Sequence, residues 1–235
     1  MNFRLILVTT LVLIITVLSS HAYAKDYAIE IIIFTNKDGL QQTAEQFSAN
    51  HIIPVPNNGL ALNSLENDTE WQPISEDEYI LNNVADKLNR SSKYRILKHI
   101  AWRQPAIDKS DSVPIMITAG RDYADLYPER AYKQIEFSDT SSQANQEDSG
   151  KVHELAGTIN VAITRYIHVY SDLVYRLPRS NPSYVEDALN REQVLVDYAV
   201  NSHRRMRSRE LHYIDHPLVG ILVEATPIEE ETTDE

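Results

Sequence analysis

The first apolar segment after residue 24 predicts a buried β-strand. Residues 27–34 (YAIEIIIF) place three isoleucines on one face of a strand, and Ile32 and Phe34 on the other face. A strand that is apolar on both faces usually lies in the middle of a sheet, where both faces are covered. We therefore expect this segment to be a central strand.

A helix is predicted further along the chain. Residues 75–78 (SEDE) have the S-x-x-E spacing of a capping box at a helix start. From Leu81 to Leu88, apolar residues recur at the i, i+3, i+4 and i+7 positions, which form one face of a helix. The polar residues 89–92 are the expected helix end.

Residues 94–102 (YRILKHIAW) predict the next strand. Their alternation places Tyr94, Ile96, Ile100 and Trp102 on one face, interrupted only by a lysine. The order strand, helix, strand is typical of a right-handed crossover unit, so the chain is expected to begin with a βαβ unit.

The second half of the chain predicts mainly antiparallel strands. Residues 155–177 are too long for one strand, since strands rarely exceed about 10 residues. A bend or bulge near Thr164 or Ser171 is expected to divide them. Further strands are predicted at residues 113–119, 193–200 and 217–226, the last two as a hairpin.

Together these patterns predict one α+β domain over residues 25–235. Its βαβ start is followed by a mainly antiparallel sheet with long strands, and a ferredoxin-like arrangement is one candidate. Residues 138–151 (SDTSSQANQEDSGK) are polar and low in complexity, which predicts a flexible loop. Residues 227–235 form an acidic tail.

Residues 1–24 have the features of a secretory signal peptide. Arg4 precedes an apolar run from Leu5 to Leu18, and residues 22–24 (AYA) have the A-x-A form of a cleavage site. The apolar run is short for a membrane span, which needs about 20 residues. We expect the segment to be cleaved, with no membrane anchor afterwards.

Composition narrows the classes of chemistry and partner. The chain has 235 residues, a net charge of -12 and no cysteine. Without cysteine there is no disulfide, thiolate metal site or cysteine nucleophile. A secreted protein that lacks disulfides is typical of the bacterial periplasm. The acidic balance argues against nucleic acid as a partner, because phosphate contacts need a basic face.

The densest cluster of functional side chains is at residues 204–217 (RRMRSRELHYIDHP), with four arginines and two histidines. His212, Asp215 and His216 have the residue types of a zinc site, although Pro217 biases His216 away from helical geometry. Alternatively, the arginines bind carboxylates of a polymer such as peptidoglycan as bidentate forks. In a third interpretation they pair with neighbouring carboxylates and serve only the structure.

Two smaller groups are also candidates. In residues 165–169 (RYIHV), strand alternation places Tyr166 and His168 on one face, as an acid–base pair or as ordinary sheet contacts. Trp102 lies at a predicted strand end, where an indole stacks on a sugar or closes a core. The catalytic motifs G-x-S-x-G, S-x-x-K and G-x-x-x-x-G-K do not occur in the sequence.

Three segments together resemble the CsiV family, periplasmic peptidoglycan-binding cell-shape proteins of gammaproteobacteria. They are residues 94–105 (YRILKHIAWRQP), 165–177 (RYIHVYSDLVYRL) and 204–222 (RRMRSRELHYIDHPLVGIL). The last is the most specific, because its run of arginines followed by ELHYIDHP is long and unusual in composition. The candidate binding residues at the matched positions are Trp102, Arg103, Arg165, Tyr166, His168, Arg204, Arg205, Arg207, Glu210, His212, Tyr213, Asp215 and His216.

The resemblance implies a periplasmic protein that is not an enzyme and has no cofactor. It implies an accessory factor that binds peptidoglycan and promotes a class A penicillin-binding protein, together with that synthase's outer-membrane lipoprotein activator. A hydrolase or metal-dependent enzyme that uses His168, His212, Asp215 and His216 is the alternative hypothesis. A protein–protein adaptor of the periplasm is a third.

The binding hypothesis assigns roles to particular side chains. Arg204, Arg205 and Arg207 are expected to face the carboxylates of the wall polymer. Tyr213 and Trp102 are the expected stacking surfaces for its sugars.

Overall fold

The computed structural model describes residues 25–39, 52–56, 58–61, 70–131, 150–181 and 192–229. The predicted signal peptide (residues 1–24), residues 138–149 of the predicted loop and residues 230–235 of the predicted tail lie outside the described residues. Within the described residues, no helix combines the length and the apolar character that a membrane span needs.

Two antiparallel sheets make up most of the described chain. Sheet A has the strand order β2-β3-β1-β9-β8 and sheet B the order β4-β5-β6-β7. The elements are β1 (Asp26–Asn36), β2 (Gln72–Pro73), α1 (Asn82–Arg90), β3 (Tyr94–Pro105), β4 (Ile115–Asp122), β5 (His153–Ile163), β6 (Ile167–Ser180), β7 (Gln193–Met206), β8 (His212–Ile214) and β9 (Val219–Pro227).

The inner faces of the two sheets enclose one apolar core. Ile29, Ile31 and Ile33 of β1 are fully buried there, in the same cluster as Leu155 and Val169 of sheet B. Strand β1 lies between β3 and β9, so the prediction of a central strand with two covered faces is confirmed. The two-residue period of a strand sends alternate side chains to the core and to the outer faces.

Helix α1 covers the outer face of sheet A. Leu81 and Ala85 pack there against Ile32 and Phe34, the second apolar face of β1. The helix ends at Arg90, as the sequence predicts, with Lys87 and Arg90 in its last turn. Basic residues at this end favour the helix, because the carbonyl end of the helix dipole is negative.

The predicted capping box is wrong. Residues Glu76–Glu78 form a 3-10 turn, and the Ser75 side chain makes no capping hydrogen bond. The acceptor at the helix start is instead the carboxylate of Glu30 on β1. It accepts hydrogen bonds from the backbone N–H groups of Ile80 at 2.7 Å and Leu81 at 2.9 Å. A buried carboxylate from another element thus satisfies donors that the helix leaves open.

The predicted βαβ crossover is also wrong, because β1 and β3 are antiparallel neighbours. Their register shifts between Ile33, which faces Lys98, and Phe34, which faces Ile96. The extra residue at this β-bulge changes the face of the sheet to which the side chains before and after it point. Tyr94 and Ile96 therefore pack on the outer face, whereas Ile100 and Trp102 lie in the core. The prediction that all four share one face fails for this reason.

The long segment from 155 to 177 is divided at Thr164, one of the two predicted places. Residues 164–166 join β5 and β6 as a hairpin, while Ser171 lies within β6. The predicted hairpin of residues 193–200 and 217–226 is wrong, since β7 pairs with β6 in sheet B and β9 pairs with β1 in sheet A. The fold is mainly β, with the predicted long antiparallel strands, and the ferredoxin-like α+β arrangement is not confirmed.

Candidate functional site

A row of aromatic and basic side chains lies on the outer face of β6 and β7. The strand register places His168 opposite Arg205, and Tyr170 opposite His203. Ile167, Val169 and Met206, which alternate with this row along the strands, are buried, so alternation directs the row outward. His203 and Arg205 are exposed, and His168 and Tyr170 are partly exposed. We call this row, together with Tyr166 of the adjacent turn, the open end.

The rings of the open end stack on one another. The Tyr170 and His203 rings are 4.3 Å apart and nearly parallel, and the His168 and His203 rings are 5.2 Å apart. His168 Nδ1 and His203 Nε2 share a hydrogen bond of 2.9 Å. Lys109 Nζ lies 3.9 Å from the centre of the Tyr170 ring. The ring faces are thus already occupied by neighbours, which leaves little aromatic face for a sugar.

Arginines at the open end rest on a tyrosine rather than in ion pairs. The Arg205 guanidinium lies 4.5 Å from the centre of the Tyr166 ring, and that of Arg165 lies 5.8 Å from it. Cation–π contacts of this kind orient an arginine without neutralising it. Neither arginine forms an ion pair with another residue that the structure describes. The geometry therefore presents two ordered positive charges to solvent.

The environment of His168 favours the neutral form of its imidazole. Desolvation lowers the pKa of this group, and electrostatic interactions with His203 and Arg205 lower it further.

A cleft of about 340 Å³ adjoins the open end, where the β5–β6 turn meets the segment after β7. Arg207 and Glu210 lie at its rim, 4.0 Å apart and both exposed. Glu210 Oε2 is also 3.4 Å from His212 Nε2, without the alignment of a hydrogen bond. The cleft is lined by Tyr27, Thr164, Arg165, Tyr166, Ile167, Met206, Arg207, Ser208 and Glu210. Six of the predicted residues thus lie at this end: Arg165, Tyr166, His168, Arg205, Arg207 and Glu210.

Arg204 and Trp102 lie apart from this row. Arg204 is exposed, but it is adjacent to Arg205 in β7 and lies opposite Val169, so the two arginines point to opposite sides of the strand. Trp102 is 0% exposed in the core, where its Nε1–H donates to Gln104 Oε1 at 2.9 Å. Trp102 therefore closes the core, and its predicted role as a stacking surface is wrong.

The remaining predicted residues lie around sheet A. The Tyr213 hydroxyl donates to Asp215 Oδ1 at 2.7 Å, and the Tyr213 ring stacks on Phe34 on the outer face. Arg103 approaches Glu78 at 3.7 Å, with both side chains about half exposed. His216 Nδ1 accepts the Leu218 N–H at 3.3 Å. The exposed ring of Tyr213 is available to a ligand, but it lies on the opposite face of the two-sheet core from the open end.

The hypothetical metal centre does not form among the described residues. His212 faces Val223 on the core side of β8, whereas Tyr213 and its partner Asp215 are on the outer side. His168 belongs to sheet B. No three histidine or carboxylate side chains that the structure describes are grouped as metal ligands. The residues of the proposed enzyme are therefore not assembled in one place.

Sequence reasoning missed Lys109, Tyr170 and His203. Tyr170 could have been predicted, since it follows His168 by two residues and thus shares its strand face. The positions of His203 and Lys109 beside Tyr170 could not, because they depend on how the strands pair and on what packs over the sheet. That register is a property of the tertiary structure.

The sequence of the chain matches a family model described as "Peptidoglycan-binding protein, CsiV" over residues 6–228. The chain belongs to the CsiV family. Its membership confirms the resemblance of the three segments, and the open end is part of the matched CsiV region.

Other comparisons add no argument about the site. A comparison with curated proteins finds no match. A solved structure of the type II secretin GspD from enteropathogenic Escherichia coli is similar at 9% identity and a TM-score of 0.31, over 95% of this chain and 74% of the secretin chain.

Proposed function

We propose that this CsiV-family protein is a non-catalytic accessory factor that binds peptidoglycan in the periplasm. In this role it promotes peptidoglycan assembly by a class A penicillin-binding protein, acting with that synthase's outer-membrane lipoprotein activator, and supports cell shape. The family description supports wall binding. The carrying observation is the group of exposed arginines, Arg165, Arg205 and Arg207, beside Tyr166.

The chemistry of the ligand matches this surface. Peptidoglycan stem peptides carry carboxylates, and a guanidinium binds a carboxylate through two parallel hydrogen bonds. Tyr166 restrains Arg205, which lowers the entropy that binding must overcome. Because the protein carries a net charge of -12, a local cluster of cations is needed to attract an acidic polymer.

A role without catalysis is supported by the dispersal of the titratable groups. His168, His212 and Asp215 lie on different surfaces of the two sheets. An acid–base mechanism needs its groups within hydrogen-bond reach of one substrate. The exposed arginines instead suit recognition of charge.

Co-sedimentation with isolated sacculi tests wall binding. The variant R165A/R205A/R207A removes three exposed cations, and we expect its sacculus affinity to fall at least about tenfold at low salt, as charge-assisted contacts predict. The matched control K87A/R90A/K93A removes three exposed cations around helix α1 and is expected to bind as the unaltered protein does. Equal binding by both variants would refute the assignment of this surface.

A pull-down separates wall binding from a purely adaptor role. The synthase and its activator are the baits, with and without sacculi. We expect the R165A/R205A/R207A variant to lose capture by sacculi while it retains any direct contact with the proteins. Capture by the baits without any sacculus binding of the unaltered protein would favour the adaptor.

A further inference from the structure

A second cleft lies at the other end of the two sheets, away from the open end. It has a volume of about 440 Å³ and forms where β1 and β4 end and β3 and β5 begin. Thr35 lines this cleft and Tyr27 lines the first, so eight residues of β1, or about 27 Å, separate them. The lining residues are Thr35, Asn36, Lys37, Arg95, Arg121, Tyr123, Glu154, Tyr175 and Leu177.

The floor of this second cleft is polar and ordered. The Glu154 side chain is 4% exposed and forms an ion pair with Arg95. Its Oε2 accepts the backbone N–H of Arg121 at 3.1 Å. The Tyr175 hydroxyl lies 2.9 Å from Thr35 Oγ1 and 3.3 Å from Glu154 Oε1. Every polar group on the floor thus has a partner, so the shape persists without a ligand.

Gly120 makes room for this floor. Its φ is +77°, and a Cβ at this position would lie 2.6 Å from Glu154 Oε2. A side chain here would therefore meet both backbone strain and the buried carboxylate. Burial also raises the pKa of the Tyr175 hydroxyl, which keeps it protonated as a donor.

The rim of the second cleft carries excess positive charge. Lys37 and Arg121 lie there in addition to the Arg95–Glu154 ion pair of the floor, so the lining has a net charge of +2. Among the described residues, neither Lys37 nor Arg121 is within 4.0 Å of a carboxylate oxygen. The neighbouring Asp122 is directed to the backbone N–H groups of Ala124 and Val152. The two exposed cations are therefore left to act on a ligand.

We infer that the second cleft binds a small anionic ligand through a carboxylate or phosphate group, held by Lys37 and Arg121 above the Thr35–Tyr175–Glu154 floor. Its volume is in the range of small-molecule sites. Two exposed cations without a carboxylate partner among the described residues are groups that can bind a carboxylate or a phosphate. This site is independent of the wall-binding surface, because it shares no lining residue with the first cleft.

Isothermal titration calorimetry at low ionic strength tests the inference. The probes are D-alanyl-D-alanine, which supplies a peptide carboxylate, and inorganic diphosphate. We expect at least one probe to bind the mature protein, with the affinity reduced at least about tenfold in K37A/R121A. Binding of only the dipeptide would assign the site to peptide carboxylates, and binding of only diphosphate would assign it to phosphates.

A matched control and a second readout keep the test decisive. The variant K87A/R90A also removes two exposed cations, from helix α1, and should bind the probe as the unaltered protein does. Thermal unfolding of both variants should be unchanged, because all four side chains are exposed. No heat with either probe, or equal affinity in K37A/R121A, would overturn the inference. Sacculus binding by K37A/R121A should stay unchanged, so this result is separable from the proposed wall binding.

Discussion

The outer face of the β6–β7 pair has two ends at which charged residues have different environments. At the end around Asp197, which we call the covered end, this carboxylate is buried and pairs with Arg130 and with Arg176, whose Nε lies 3.5 Å from Asp197 Oδ1. At the open end, Arg205 is exposed and rests on Tyr166. Arginines on the same two strands thus serve stability at one end and remain available to a ligand at the other.

The difference comes from what covers each end. Arg130 donates to the Leu195 carbonyl, and Tyr123 and Tyr127 pack on Leu195. The Ile53 N–H donates to Asp197 Oδ2 at 2.9 Å. Desolvation by this cover lowers the pKa of Arg176, while the charge of Asp197 opposes that shift. A charge beneath a covering segment needs an oppositely charged partner, because it has lost its contact with water. Where no described segment covers the sheet, water solvates the charge instead.

The largest expected effect is at the covered end. Replacing Asp197 with alanine leaves the buried Arg130 and Arg176 without their carboxylate. Breaking a buried ion pair from one side costs about 3–5 kcal/mol, and we expect the free energy of unfolding to fall by that amount in urea titrations. Arg205→Ala at the open end should cost less than about 1 kcal/mol. Equal losses in the two variants would remove the distinction between the ends.

The next expected effect is on ligand binding at the open end. Tyr166→Ala removes the ring that orients Arg205, worth about 0.5–1 kcal/mol at an exposed site. Sacculus affinity is expected to fall about two- to fivefold, measured by co-sedimentation. Tyr166→Phe keeps the ring and should retain the affinity. If the alanine and phenylalanine variants bind alike, the ring does not act through Arg205.

Added salt should affect the two ends differently. It shortens the Debye length from about 10 Å at 0.1 M to about 3 Å at 1 M ionic strength, and the resulting screening acts mainly on exposed charges. We expect sacculus binding to weaken steadily with added NaCl. The stability difference between Asp197→Ala and the unaltered protein should change little over the same range. A salt-independent affinity would argue against arginine–carboxylate recognition.

The smallest expected effect is the titration of His168. Its pKa is lowered in the folded protein, so between that value and the ordinary value of 6.5 the unfolded chain binds the proton and the folded chain does not. The stability contribution is therefore present above pH 6.5 and is lost as the pH falls through the folded pKa. NMR titration of the imidazole measures the shift. In His203→Gln the pKa of His168 should move back towards 6.5, and no movement would show that burial and Arg205 set it without His203.

Part of the fold follows from local patterns. The apolar segment at 27–34 is the predicted central strand, and the break at Thr164 is one of two predicted places. Pairing between distant segments was not predictable in this way. The hairpin assigned to residues 193–200 and 217–226 fails because each segment buries its apolar face against a different sheet. Alternation shows that a strand has a buried face but not which strand lies beside it.

The candidate site shows the same limit. The arginine-rich segment and the Arg165–Tyr166 pair were both predicted, and the fold brings them together at one cleft. The predicted shared face of Tyr94, Ile96, Ile100 and Trp102 was wrong, because β3 carries one extra residue opposite the step from Ile33 to Phe34. One extra residue reverses the face to which every following side chain points, and no local sequence pattern predicts where it occurs. The stacking role given to Trp102 was wrong because its side chain is 0% exposed in the core.

The sequence by itself determined the family, through the resemblance of three segments and the match over residues 6–228. It also predicted the secretion signal, the long strands and the arginines proposed to bind a carboxylate, which depend on composition and on periodicity over a few residues. Only the tertiary structure decided which charged residues are neutralised and which stay free. Asp197 and Arg205 lie in the same strand, eight residues apart, and face the same way. They differ because Arg130 and its neighbours cover Asp197 and leave Arg205 exposed. The free-energy cost of burying a charge depends on the groups that surround it in space.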